Sequence, residues 1–345
     1  MPLETLLLII AFVFGCVWGS FFNVVIYRLP RHMSVVKPAS HCFACNTSIA
    51  WYDNIPLVSW LVLRGRCRRC GAPFSFRYFV VELISGLLFL FVMMMYADTI
   101  VTKGHTLEGT VALVLHWLMV GGFVVLTFID FDHKIIPDSV SLPGIVLGLI
   151  ASFAVPDLVA RYRGFGPPEH VSHLKSLLEG GIGVLVGGGS LWLIAVAGRA
   201  VFKKEAMGGG DIKLMAMIGA YMGYWLILPV VLIAAFTGAF VGVTLIIITQ
   251  GRAARLIKPL QTIAENDPDP AAREKAKQEI KAIEETQVAW SSQIPFGPYI
   301  VLAALIVYFF GAQILRWYFG LFAPLRPAPP TRGLVGIILQ GLGVG

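Results

Sequence analysis

The stretch Lys204-Glu-Ala-Met-Gly-Gly-Gly-Asp211-Ile-Lys213-Leu214 sets three consecutive glycines and a carboxylate at the edge of a long apolar run. Acids at membrane depth are rare and face a cavity or a partner, so Asp211 marks a functional site and indicates the kind of protein around it. The 345-residue chain is 57% hydrophobic and only 14% charged, with a mean hydropathy of +0.77. Soluble domains carry roughly 25% charged residues. These values predict an all-α polytopic membrane protein.

A span needs about 20 mostly apolar residues. Eight segments qualify as transmembrane helices, at roughly 4–27, 79–97, 109–129, 139–155, 176–198, 212–226, 228–249 and 296–320. Residues 3–27 are too long for a signal-peptide core and meet their first positive charge at Arg28, which predicts a first span with its N-terminus outside. Successive crossings from there place twenty of the 27 Lys and Arg residues on the cytoplasmic side, the bias expected of that orientation. The net charge of +7 is thus explained by topology, and no helix-turn-helix, RNA-binding sheet or basic-aromatic pattern points to nucleic acid.

The chain divides into a first transmembrane helix (1–27), a cytoplasmic zinc-binding module (28–78), a helical catalytic core (79–249), a charged helical insert (250–293), a last span (294–320) and a flexible C-terminal tail (321–345). Gly219, Gly223 and Pro229 predict a tight hairpin between the sixth and seventh spans. In the insert, Asp269 caps and Pro270 opens a helix that continues to Trp290 with i, i+4 ion pairs, a solvated helical hairpin or linker. Docking of a partner is the alternative. His105, His170 and His173 fall in outer loops, and the last two, among Pro and Gly with no third ligand, read as solvated.

Cys42-Phe-Ala-Cys45 and Cys67-Arg-Arg-Cys70 are two C-x-x-C pairs on the predicted cytoplasmic side, where metal binding is favoured over disulfides. Four thiolates at this spacing predict one tetrahedral structural Zn²⁺, which leaves no open position for catalysis. The metal would supply fold to a piece of about 50 residues with too little core of its own. Cys16, inside the first span, reads as a small buried hydrophobe.

Asp211 needs a partner, and Phe128-Ile-Asp130-Phe-Asp132-His-Lys-Ile-Ile-Pro-Asp138 offers three acids at the same predicted membrane edge. Asp138 reads with Ser139 as the N-cap of the fourth span, and Asp132 as solvated or ion-paired. Asp130, flanked by apolar residues, is the costliest to bury and is the candidate. Two such carboxylates share a proton and can activate water for peptide hydrolysis. Gly208 and Gly210 predict unusual dihedrals and room for a substrate backbone, or a flexible loop. Lys213, two residues after the acid, reads as snorkelling to a lipid headgroup, with lowering the charge density of the dyad as the alternative supporting role.

Seven ordered motifs carry a resemblance: Gly19-Ser-Phe-Phe-Asn-Val-Val-Ile-Tyr-Arg-Leu-Pro30, the two C-x-x-C pairs, Asn54-Ile-Pro-Leu-Val-Ser-Trp60, Arg77-Tyr-Phe-Val-Val-Glu-Leu83, Phe128-Ile-Asp-Phe-Asp132, Gly208-Gly-Gly-Asp-Ile-Lys213 and Ile294-Pro-Phe-Gly-Pro298. Together they resemble the type IV prepilin peptidase family over residues 15–249 and again from 294 to about 310. The resemblance implies an eight-span GxGD-type aspartic protease of the bacterial inner membrane, with Asp130 and Asp211 as the catalytic pair. Its implied substrates are type IV prepilins or type II secretion pseudopilins, cut after a Gly on the cytoplasmic side. It also implies N-methylation of the new terminus with S-adenosylmethionine. No methyltransferase fingerprint appears in residues 28–78, and Glu82 is a candidate for that second site, for orienting Arg77, or for a helix-end ion pair.

The insert departs from the family pattern, and pilus or secretion machinery is one possible partner for it. The competing readings are a GxGD peptidase without methyltransferase activity and a membrane scaffold that uses its zinc module to bind a partner.

Overall fold

The computed structural model describes residues 3–103, 107–156, 172–203, 207–266, 268–291 and 295–320. The tail expected at 321–345, His105 and His170 lie outside them. The described residues form α1 (Leu3–Arg28), α2 (Val58–Val62), α3 (Arg77–Lys103), α4 (Leu107–His133), α5 (Asp138–Ala154), α6 (His173–Phe202), α7 (Gly209–Met222), α8 (Ile227–Asn266), α9 (Pro270–Ser291) and α10 (Gly297–Gly320), with no strand among them.

Among the described residues, five helical stretches are long and apolar enough to cross a membrane: Leu3–Arg31, Arg77–Ala97, Leu107–His133, His173–Val201 and Tyr224–Asn266. Asp138–Ala154 and Gly297–Gly311 are apolar but shorter. The chain is thus a multi-pass helical protein. α4 lies at the centre, with Met119, Val120, Phe123 and Leu126 fully buried, whereas α8 turns Phe236 and Phe240, each 74% exposed, outward. Outward apolar side chains in a chain of this composition suit contact with lipid tails.

Small residues let the helices approach, as expected where lipid removes the hydrophobic drive between them. Gly15 and Gly19 of α1 leave no room for a side chain against Gly86 and Ser85 of α3. Gly183 of α6 and Gly219 of α7 leave none against each other. α7 therefore packs on α6 and α5 and touches α8 only lightly. The tight hairpin expected between the sixth and seventh spans is absent, because the glycines of α7 are used on α6. Pro229 does not open α8, which begins at Ile227. Asp138 is likewise not the N-cap of α5: Pro137 occupies that position and Asp138 is the first helical residue.

α8 runs unbroken through Gln250 to Asn266, so no break in the helix marks the start of the insert. Polar but good helix-forming residues simply extend it. The chain then turns, Asp269 Oδ1 accepts from the Ala271 backbone N–H at 2.9 Å, and α9 packs back along α8 with Ala253 and Ala276 buried between them.

One end of the bundle collects the functional motifs. Arg31, just past α1, meets His133 at the end of α4, and Arg77 at the start of α3 pairs with Asp132. Lys213 in α7 pairs with Asp138 at the start of α5, and the first residue of α10 contacts Asp130. His173 Nδ1 lies 2.7 Å from the Phe153 carbonyl and ties α6 to the opposite end of α5. His173 is therefore the first residue of a helix rather than part of a loop, exposed and with its ring tilted against that of Phe153.

Candidate active site and metal centre

Asp130 sits in the last turn of α4 and is only 5% exposed. A carboxylate so placed needs a donor, and the backbone N–H of Gly297 supplies one to Asp130 Oδ2 at 3.0 Å. Pro295-Phe-Gly-Pro298 delivers that N–H at the first turn of α10, where donors lack helical partners and the helix dipole favours negative charge. A side chain on Gly297 would place its Cβ 2.5 Å from Asp130 Oδ2. The glycine is required by space, not by an unusual φ.

Asp211 lies in the first turn of α7, half-buried, near enough for the charge of Asp130 to act on it. The Gly-Gly-Gly segment differs from expectation. Gly208 is an extended N-cap, and Gly209 and Gly210 are ordinary helix, so none takes a left-handed conformation. The constraint falls on Gly210, where a Cβ would stand 2.8 Å from Cβ of Ile136. The same Ile136 closes on Gly297, so one apolar side chain sets the spacing of the two acid-bearing turns. At Gly208 the nearest atom is Asp211 Oδ2 at 3.8 Å, an ordinary contact.

Neighbouring charges are committed elsewhere. Lys213 Nζ donates to Asp138 Oδ1 at 2.6 Å, which corrects the reading of Lys213 as a headgroup anchor. Arg77 grips the end of α4 by donating to the carboxylate of Asp132 and, at 2.9 Å, to the carbonyl of Phe128, with its guanidinium over the Phe128 ring. Arg77 therefore does not pair with Glu82. Glu82, 8% exposed, instead accepts the backbone N–H of Leu57 at 2.8 Å, and Leu57 holds a positive φ of 61° to make that bond. Strain of this kind in a non-glycine residue persists where the surroundings enforce it.

The four cysteines converge. Sγ atoms of Cys42, Cys45, Cys67 and Cys70 all lie within 4.8 Å of one another, and Cys42 and Cys70 are 3.8 Å apart. Sulfurs about 2.3 Å from a tetrahedral zinc are separated by about 3.8 Å. Each pair is held by the same turn: Asn46 N–H donates to the Cys42 carbonyl and Gly71 N–H to that of Cys67, and both Asn46 and Gly71 have positive φ. The Thr47 hydroxyl and backbone pull the Cys45 thiol down to about 6, and the Cys70 and Arg69 backbone N–H groups lower Cys67. Against the Ala72 N–H, burial and the three other sulfurs push Cys70 up to about 11. Four sulfurs this close resist common ionisation unless a cation sits among them. The donor set fits Zn²⁺.

The domain described as "Bacterial Peptidase A24 N-terminal domain" matches residues 13–96, and "Type IV leader peptidase family" matches residues 117–243. A protein of Myxococcus xanthus named prepilin leader peptidase/N-methyltransferase is 35% identical over 338 residues, 88% of this chain and 90% of its own. The chain belongs to the type IV leader peptidase family. Proteins of the same name from Aeromonas hydrophila and Pseudomonas aeruginosa are 32% and 30% identical, covering 90% and 88% of this chain and 92% and 90% of theirs. No solved structure matches. Three contacts around the candidate site had no side-chain partner to betray them in the sequence: the Gly297 N–H on Asp130, the Leu57 N–H on Glu82 and the Phe128 carbonyl that Arg77 grips. Only the crowding of glycine and proline at 295–298 hints at the first.

Proposed function

We propose that this chain is an aspartic endopeptidase of the bacterial inner membrane that removes the basic leader of type IV prepilins or type II secretion pseudopilins after Gly, and then N-methylates the new terminus. The observation that carries the peptidase half is Asp130, buried and held by the Gly297 N–H, across Ile136 from the turn that bears Asp211. One carboxylate takes a proton from water as it attacks the scissile carbonyl while the other, protonated, donates to the carbonyl oxygen; the proton taken from water then goes to the departing amine as the C–N bond breaks. The eight-crossing topology, with the N-terminus outside and the dyad facing the cytoplasm, is supported by the charge bias and by the six helix ends gathered at one end of the bundle.

Cys42, Cys45, Cys67 and Cys70 would hold a structural Zn²⁺, and S-adenosylmethionine is the donor that N-methylation calls for. It supplies a methyl group on a positively charged sulfur. When bound, it would let the amine nitrogen take the methyl group as the C–S bond breaks, with sulfur keeping the electron pair and the product ammonium returning its proton to water. The test incubates the purified protein in lipid with a prepilin leader peptide and labelled S-adenosylmethionine, following cleavage and methyl transfer separately. Asp130→Asn and Asp211→Asn should each abolish cleavage at unchanged protein level. Cleavage surviving in either variant would refute the dyad.

A further inference from the structure

The short helix α2 lies against the start of α3, and three contacts fix its height there. The Trp60 ring packs on those of Phe76 and Phe79, with centroids 5.2 and 5.5 Å apart. The Leu57 N–H, just before α2, donates to Glu82. Glu82 stands five residues into α3, about 7.5 Å of helical rise along Arg77–Ala97, a stretch apolar enough to cross a membrane. α2 therefore sits level with the point where α3 enters the bilayer.

Its faces are inverted for a helix in water. Ser59, the one hydroxyl-bearing residue of α2, turns inward, where it accepts the Ile55 N–H at 3.0 Å and donates to the Tyr52 carbonyl at 3.1 Å. Val58, Leu61 and Val62 turn outward, the last two 58% and 69% exposed, and Trp51, in the turn that packs on α2, is 81% exposed. A surface helix in water shows the opposite arrangement, and exposed apolar patches mark membrane or partner surfaces. Arg64 and Arg66 follow directly, both exposed, and no acid among the described residues pairs with either. Two non-glycine residues at positive φ, Leu57 at 61° and Arg64 at 50°, bracket α2 and fix how this face is presented.

We propose that α2 is an interfacial helix: Val58, Leu61 and Val62 insert among acyl chains at the bilayer edge, and Arg64 and Arg66 bind the phosphates of acidic phospholipids. Height decides for lipid over a soluble partner. The outward face lies level with residues 76–82 of α3, and the lipid-facing side of α3 begins just past them, where Ile84 and Leu87 are exposed. Trp51 suits the headgroup layer, where amphipathic rings collect, and cations next to an apolar face suit an anionic surface. α2 falls between the two C-x-x-C pairs, so the cysteine cluster is moored to the bilayer surface through it.

A photoreactive benzophenone side chain is introduced at Val62 of the full-length protein in lipid nanodiscs, with Phe236 on α8 as the lipid-facing reference, and adducts are identified by mass after irradiation. Phospholipid adducts at Val62 in a yield within about threefold of that at Phe236 are expected. Adducts at background level, or confined to a second copy of the chain, overturn the assignment. The same probe at Leu61, also outward, gives the readout where the first variant does not fold. Discs containing phosphatidylglycerol should give severalfold more adduct than discs of phosphatidylcholine alone, since each cation near the surface favours the acidic one about fivefold. Arg64→Gln combined with Arg66→Gln should remove that preference at an unchanged midpoint of thermal unfolding. Equal yields in the two kinds of disc for the parent arginines overturn the phosphate contacts.

Discussion

Replacing Gly297 with alanine tests the candidate dyad without touching either acid. The new Cβ would lie 2.5 Å from Asp130 Oδ2, 3.2 Å from its Cγ and 3.2 Å from Cδ1 of Ile136. Carbon and oxygen in contact need about 3.4 Å or more, so the carboxylate or the start of α10 must move by about 1 Å. Either shift breaks the 3.0 Å bond from the Gly297 N–H. A misplacement of about 1 Å costs on the order of 10²-fold in rate, whereas overpacking costs about 1–3 kcal/mol in stability. The expected result is a fall of about 10²-fold in kcat with KM nearly constant and a folded, zinc-loaded protein. Single-turnover cleavage of a prepilin leader peptide in proteoliposomes measures it. A kcat within about threefold of the parent would refute the claim that Gly297 sets the position of the reacting carboxylate.

Four further outcomes follow from the same geometry. Gly210→Ala, which drives a Cβ to 2.8 Å from Ile136, should impair cleavage far more than Gly208→Ala, whose nearest neighbour is at 3.8 Å; equal effects would sink the spacing argument. Arg77→Gln should lower kcat about tenfold by freeing the Phe128 carbonyl and Asp132, while Arg77→Lys recovers part of the loss in the same cleavage assay. Chelation of zinc should expose residues 31–76 to limited proteolysis, since the four converging cysteines tie that segment together; protection unchanged by chelator would count against a structural metal. Lys213→Ala should change the midpoint of thermal unfolding little, because its pair with Asp138 is solvent-exposed and such pairs contribute about 0–1 kcal/mol.

The helical class was legible because runs of apolar residues leave few alternatives in this composition. The cysteine cluster was legible because C-x-x-C spacing itself brings sulfurs together, and Asp130 stood out as an acid among apolar neighbours. What stayed hidden has a common physical cause, since it depends on backbone groups or on partners far along the chain. Gly297 acts through its N–H and its lack of a Cβ, 167 residues from the acid it serves. Lys213 was read as a lipid anchor because Asp138, its actual partner, is 75 residues away. α7, at 14 residues, was readable as apolar but not as a helix packed through Gly219 on α6 and against Gly144 and Gly148 of α5. The extent of α8 was missed because polarity marks the end of an apolar run, not the end of a helix.

The unbroken α8 has a mechanical side. Forty residues of helix are about 60 Å long, twice the hydrocarbon thickness of a bilayer. Its length exceeds what a bilayer core can cover, and α9 packs back along it ahead of the segment that carries Phe296 and Gly297 beside Asp130. The hairpin is therefore a detour inserted between the seventh and last predicted spans, 17 residues out from Gln250 to Asn266 and 22 residues back from Pro270 to Ser291. Trimming one turn from both arms should leave the catalytic turn in place, while trimming either alone would pull on Gly297.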